Sequence, residues 1–248
     1  MGVGYRTDKG VRRANNEDAC LVMQKSNVFV VADGVGGGNS GEVASRTAVN
    51  EVAEYILINP LYELREKEDI RDYFLRCIKD VNHKVFDSSQ KEEANHGMAT
   101  TMVAAYVFRN DLYILNVGDS RAYVYRNKIL TQITDDHTYV NTLLKQGIIT
   151  EKEAENHEQR HMITRAIGAE TTIDVDFFKV KLKAGDIILM CTDGLYGEIE
   201  KANMEALISK HSSMQELCDD FVEKANANGG RDNITVVCIK IMEEDINE

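Results

Sequence analysis

Three aspartates stand where apolar runs stop or start, a setting in which carboxylates bind hard cations. Asp33 closes VFVVADG (28–34), Asp193 closes IILMCTDG (187–194), and Asp232 opens RDNITVVCI (231–239). Apolar runs of this length, rich in β-branched residues, read as buried strands. In an antiparallel pair the end of one strand lies beside the start of the next, so the three carboxylates are expected at one sheet edge. Gathered there they repel unless a cation neutralises them, and oxygen ligands suit Mg²⁺ or Mn²⁺. Gly34 and Gly194 follow two of these aspartates, and a residue without Cβ lets the chain turn sharply and a carbonyl approach an ion. Turn chemistry closing a strand is the competing account of any single Asp-Gly pair.

A second chemistry is written over the same stretch. Gly36, Gly38 and Gly41 satisfy G-x-G-x-x-G, the glycine spacing that cradles a dinucleotide pyrophosphate. That cradle needs a second strand ending in an acidic residue about 20 positions on. Here residues 42–58 carry a helical pattern instead, with Ala44, Ala48, Val52, Tyr55 and Ile56 at three- and four-residue steps. Asp33 would also repel the phosphates. The cation reading is the stronger.

Stepping through the rest of the chain, β-like runs fall at 27–32, 112–117, 122–126, 187–191 and 234–241. Residues 111–133 read as a meander that turns at Gly118-Asp119-Ser120 and again at Arg126-Asn127-Lys128. Helical periodicity also covers 67–86 and a segment through Leu217, Phe221 and Ala225, which Ser213 and Glu216 would cap. Thr150 with Glu153 marks a short helix in the polar segment 138–160. Two helices followed by a run of strands is not β-α-β alternation. An α+β fold with antiparallel sheets and external helices is expected.

Composition narrows the function classes. The 248 residues include 41 acidic and 29 basic side chains, a net charge of −12, which disfavours nucleic-acid and anionic-membrane binders. No apolar run approaches a membrane span, and the N-terminus lacks a signal-peptide core. Arg6 stands where a myristoylation pattern wants Ser or Thr. One proline and no linker-like tract favour a single domain over 1–248. The five cysteines form no C-x-x-C, so they point to neither a zinc ribbon nor disulfides, and a cytoplasmic setting follows.

Seven motifs then carry a resemblance. They are TDKGVRRANNED (7–18), DGVGG (33–37), GMATT (97–101), NVGDSRA (116–122), ITRAIG (163–168), TDGL (192–195) and GGRDNIT (229–235). In this order they resemble the metal-dependent 2C-type serine/threonine protein phosphatases, specifically their compact bacterial branch. The resemblance implies a β-sandwich with helices on both outer faces (α-β-β-α) and a two-metal centre at one end of the sheets. It implies hydrolysis of phosphoserine and phosphothreonine in proteins, with Mn²⁺ or Mg²⁺ as cofactor and the substrates of a bacterial-type serine/threonine kinase as partners. A monomer suffices.

Residue roles follow from the same resemblance. Asp33 would bridge two ions, Gly34 would bind one through its carbonyl, and Asp193 and Asp232 would complete the other. Asp18 would ligate directly, Glu17 would hold metal-bound water, and Asn233 would orient Asp232. Asp119 with Asp193 would hold a third, weaker ion. Arg13 would grip the substrate phosphate, a task that suits its planar fork of donors. Two ions lower the pKa of a bridging water enough for hydroxide to attack phosphorus in line, without a phospho-enzyme. Some family members carry His after the bridging Asp-Gly; here Val35 stands there, and His161 is the candidate proton donor. The segment 138–160 matches a flap beside the active site.

Overall fold

The computed structural model describes residues 1–36, 40–64 and 67–246. Among the described residues eleven strands form two antiparallel sheets. One has the order β1 (Gly2–Asp8), β11 (Ile234–Lys240), β10 (Ile187–Cys191), β7 (Arg121–Arg126), β8 (Ile129–Gln132). The other runs β2 (Asp18–Met23), β3 (Val28–Val35), β5 (Met102–Phe108), β6 (Asp111–Val117), β9 (Asp176–Lys181), with the short β4 (Ala99–Thr100) on the end of β3. Helices α1 (Ser40–Ile58) and α2 (Lys67–Lys91) cover the second sheet, and α6 (Lys201–Lys210) and α7 (Met214–Asn228) cover the first. This is the expected α-β-β-α arrangement.

The near-continuous apolar strands are explained by three cores. Along β3, Val28, Val30 and Ala32 face α1 and α2, whereas Phe29 and Val31 face the other sheet. On β10, Ile187, Leu189 and Cys191 pack against the α6–α7 side, and Ile188 and Met190 face inward. Every second residue therefore belongs to the layer between the sheets. Carried one step past each run, that alternation puts Asp33 and Thr192 on the inner side. The fold places polar groups there before any site is considered.

Two expectations need correction. Residues 111–133 are not a meander, because β6 and β7 lie in different sheets. The turn Gly118-Asp119-Ser120 carries the chain across the sandwich, whose strand spacing and apolar faces look the same in sequence either way. Nor do the three aspartates share one sheet edge. Asp193 and Asp232 flank the antiparallel pair β10–β11, while Asp33 comes from the facing sheet. Thr150 and Glu153 do form a capping box, opening α4 (Glu151–Glu155), and Ser213 caps α7. Residues 138–160 contain α3 (Tyr139–Lys145) and α4, closed at the base by the bridge Thr138↔Ile163. Among the described residues no helix is long and apolar enough to cross a membrane.

Where β1 meets α7 the contact is backbone to backbone. A Cβ on Gly4 would lie 2.2 Å from the carbonyl carbon and oxygen of Met214, so neither side can yield without moving the helix. Gly4→Ala is expected to lower unfolding stability by about 1–3 kcal/mol, the usual size of an overpacking penalty, as a reduced urea midpoint with unchanged slope.

Candidate active site

Asp33 is fixed through its backbone. Its N–H donates to Thr101 Oγ1 at 3.0 Å, and its carbonyl accepts from Thr100 Oγ1 and the Thr101 N–H, both at 2.8 Å. With main chain and neighbouring hydroxyls occupied in this way, the half-buried carboxylate is free to face the cleft. Directly opposite in the β2–β3 register stands Asp18, a pairing of like charges that weakens a sheet unless offset. Asp18 is buried, and its Oδ2 accepts from Thr192 Oγ1 at 2.9 Å across the sandwich.

The next residue must be glycine. A Cβ on Gly34 would stand 2.0 Å from the Gly41 carbonyl oxygen and 2.6 Å from that of Glu17. The first turn of α1 thus presses on the end of β3, and Gly34 N–H donates to the Glu17 carbonyl at 3.1 Å. Gly41 and Gly36 serve this close packing and not an anion cradle; Gly37 and Gly38 lie outside the described residues.

From the other sheet, Asp193 opens the short helix α5 (Asp193–Tyr196) directly after β10, and Asp232 sits just before β11. Asp232 Oδ2 pairs with Arg13 Nη2 at 2.6 Å, and its Oδ1 accepts from the Asn233 backbone N–H at 2.8 Å. The Asn233 side chain does something else. It donates to the carbonyls of Lys9 and Asn15 at 2.9 Å and accepts from the Glu17 N–H at 2.8 Å. It therefore orients the loop that bears Arg13 and Glu17, and only its main chain touches Asp232; one polar side chain cannot reach both.

One cleft of about 650 Å³ is lined by Arg13, Glu17, Asp33, Gly34, Asp119, His161, Asp193, Asp232 and Asn233, among others. Asp18 is not in its wall and lies behind Asp33. Asp119 is held from several sides. Gly118 N–H donates to His137 Nδ1 at 3.1 Å, His137 N–H returns a bond to the Gly118 carbonyl at 2.9 Å, and Tyr196 Oη donates to the Asp119 carbonyl at 3.0 Å. His137 thus anchors the Asp119 turn as well as the start of segment 138–160. Sequence reading missed Thr192, Ser120 and Tyr196; the first two lie inside recognised motifs, but Tyr196 carried no signal.

Burial is the main cause of the perturbed acids, with neighbouring carboxylates adding to it. Asp18 and Asp119 are each pushed up to about 7 and Asp193 to about 6, while Asp33 is held well above the usual carboxylate range. His161, exposed at the rim, is pushed below its ordinary value by burial and then by Arg160.

These residues fit hard divalent cations. Buried Asp18 Oδ1 and Asp193 Oδ1 have no hydrogen-bond partner among the described residues, which is costly for a carboxylate without a positive neighbour. The donors are oxygens only, the set that Mg²⁺ and Mn²⁺ prefer. Among the described residues no three His, Cys, Asp or Glu side chains close into a ready-made ligand shell. Asp18 instead bonds to Thr192 and Asp232 pairs with Arg13.

Comparison with known proteins places the chain among phosphatases. The Protein phosphatase 2C family profile matches residues 9–237. The serine/threonine phosphatase stp of Listeria innocua is 36% identical over 243 residues, covering 97% of this chain and 96% of its own. The S. agalactiae serine/threonine phosphatase structure superposes with a TM-score of 0.89 at 31% identity, covering 96% and 98% of the two chains. The catalytic domain of the serine threonine protein phosphatase PstP, solved with 2 manganese ions, superposes at 0.85 with 30% identity and coverage of 97% and 98%.

The raised acids set a pH signature. A carboxylate whose folded pKa exceeds its unfolded value of about 4 binds more protons when folded, so stability falls as pH rises from there through the folded value. For Asp18, Asp119 and Asp193 that window ends near 6 to 7. In EDTA the site should therefore cost stability as pH climbs from 5.5 to 8, and Mn²⁺ should remove that cost. The melting-temperature difference between Mn²⁺ and EDTA samples is expected to widen up to about pH 7, where these acids have ionised, and to level off above it; a constant difference below pH 7 would count against the site.

Proposed function

The chain belongs to the protein phosphatase 2C family, and we propose that it hydrolyses phosphoserine and phosphothreonine of proteins in the cleft of Asp33, Asp193 and Asp232. The observation that carries this reading is the meeting of acids from both sheets in one cleft, with buried oxygens lacking partners, beside an arginine. Divalent ions bound there, Mn²⁺ or Mg²⁺, supply Lewis acidity that lowers the pKa of water toward neutrality and offsets phosphoryl charge. Asp33, the Gly34 carbonyl, Asp193 and Asp232 would hold these ions, with Asp18 behind them as a further ligand. Glu17 would hold water at the edge, and Asp119 with Asp193 would take a third, weaker ion.

The remaining steps belong to the chain's own groups. Arg13 leaves Asp232 to grip two phosphoryl oxygens with its fork of donors. Among the described residues no Ser or Cys lines the cleft, and the Thr101 hydroxyl is engaged with the Asp33 N–H and Ser120 Oγ. With the aspartates assigned to cations, water is the nucleophile: it gives up a proton to solvent as its oxygen bonds to phosphorus, the bond to the Ser or Thr oxygen breaks, and that oxygen takes up a proton. His161 lines the cleft and gives that proton when charged, which its lowered pKa restricts to the acid side. The enzyme acts as a monomer in the cytoplasm, where its five free thiols remain reduced, and reverses a serine/threonine kinase. Segment 138–160 works as a flap over the cleft.

Phosphate release from p-nitrophenyl phosphate and a phosphothreonine peptide is expected with Mn²⁺ and lost in EDTA. Asp193→Ala should lower kcat at least about 100-fold, since even the partners of metal ligands cost up to that much. Activity that survives full chelation would remove the metal mechanism. His161→Ala should depress the rate below about pH 6.5 and leave it unchanged at pH 8; an unaltered profile rejects the proton-donor role.

A further inference from the structure

We infer that Arg231, braced by Glu198 at the mouth of the cleft, reads an anionic side chain, a carboxylate or a second phosphate, next to the phosphorylated residue of the substrate. This rests on the phosphatase reading above and names the substrate class that the site favours.

Arg231 and Glu198 line the same cleft as Asp33 and Asp193. The pair is asymmetric: the Glu198 side chain is 4% exposed and that of Arg231 71%. Glu198 Oε1 accepts from Arg231 Nε at 2.7 Å and from its backbone N–H at 3.1 Å, and Oε2 accepts from Nη2 at 3.3 Å. Arg231 Nη1 has no partner among the described residues. The loop beneath is pinned as well. Asn228 Nδ2 donates to the Glu198 carbonyl at 2.6 Å, and a Cβ on Gly229 would come within 3.2 Å of Glu198 Oε2. A long, entropy-rich side chain is thus held in one pose with a donor edge outward, which reduces the ordering cost of binding.

Charge gives that pose its meaning. The protein carries −12 overall, so acidic peptides are repelled by most of its surface. Beside Arg231 the wall carries Arg160, which has no ion pair among the described residues, and His161. Burial lowers the His161 pKa most, Arg160 lowers it further, Asp232 raises it and Arg231 lowers it, so both guanidinium fields reach this point of the wall together with that of the Asp232 carboxylate. Glu198 offsets the charge of Arg231 without covering its Nη1 edge, Arg13 offsets Asp232, and Arg160 adds a further cation to this side. Arg13, across at Asp232, serves the phosphate undergoing hydrolysis, so Arg231 is left for a neighbouring anion. The blander account is that the ion pair only fixes the loop leading to Asp232, which would affect every substrate alike.

The test uses the full chain with Mn²⁺ and four phosphothreonine peptides identical except for flanking residues: Glu, a second phosphothreonine, Ala or Lys. The wild type is expected to favour the Glu and doubly phosphorylated peptides over the Lys peptide by about fivefold in kcat/KM, the size of an exposed charge pair. Arg231→Ala should erase that preference through KM, leaving p-nitrophenyl phosphate within twofold. Arg231→Met, which keeps the stem packing, should do the same if the Ala variant unfolds. The wild-type preference should also shrink as salt rises from 50 to 500 mM. An equal loss on all substrates, p-nitrophenyl phosphate included, overturns the inference in favour of loop fixation, and so does an unchanged preference. A wild type inactive on every substrate defeats the phosphatase reading itself, and the inference with it. The Glu and doubly phosphorylated arms separate the two sources of the anion.

Discussion

Like charges facing one another across the end of the sandwich set the terms for everything around them. Asp18 and Asp33 are direct neighbours across β2 and β3, and Asp193 and Asp232 approach from the other sheet. Burial raises the cost of ionising any of them, and each ionised neighbour raises it further. An apolar end to the two sheets would be more stable. Keeping four acids there means accepting a local penalty that a bound cation turns into affinity, as expected where function overrides local consistency.

The surrounding structure holds the backbone rigid and leaves the carboxylates adjustable. Thr100 and Thr101 fix Asp33 through its N–H and carbonyl, and Gly34 is locked beneath the first turn of α1. Asn233 ties the loop of Arg13 and Glu17 to the start of β11. None of these groups competes for the Asp33 carboxylate oxygens. Precision comes from the strands and compliance from single side-chain torsions, the division that a site on rigid elements requires. The Asp119 turn is likewise secured by His137, at the start of segment 138–160, and by Tyr196, at the end of the short helix that Asp193 opens.

Much of this was legible in the sequence, for a definite reason. Asp-Gly at the end of a buried strand is a local pattern, so Asp33 and Asp193 stood out without knowledge of the fold. The motif order carried the α-β-β-α architecture. What the sequence concealed was which sheet each strand joins. β6 and β7 are joined by a short turn that reads as a hairpin, yet they lie in opposite sheets; both are buried along almost their whole length, which removes the alternation that would distinguish them. The Glu198–Arg231 pair and Tyr196 were hidden too. Their roles depend on long-range contacts: Glu198 meets Arg231 only when the segment after α5 meets the loop before β11, and Tyr196 meets Asp119 only when α5 packs on the β6–β7 turn.

The most direct measurement is manganese anomalous diffraction from crystals grown with Mn²⁺. Two strong peaks are expected in the cleft, both contacting the Asp33 carboxylate, with Asp193 and Asp232 completing the shell of one. Crystals without a peak at Asp33, or with manganese bound only elsewhere, would contradict the claim that these acids are gathered to hold cations.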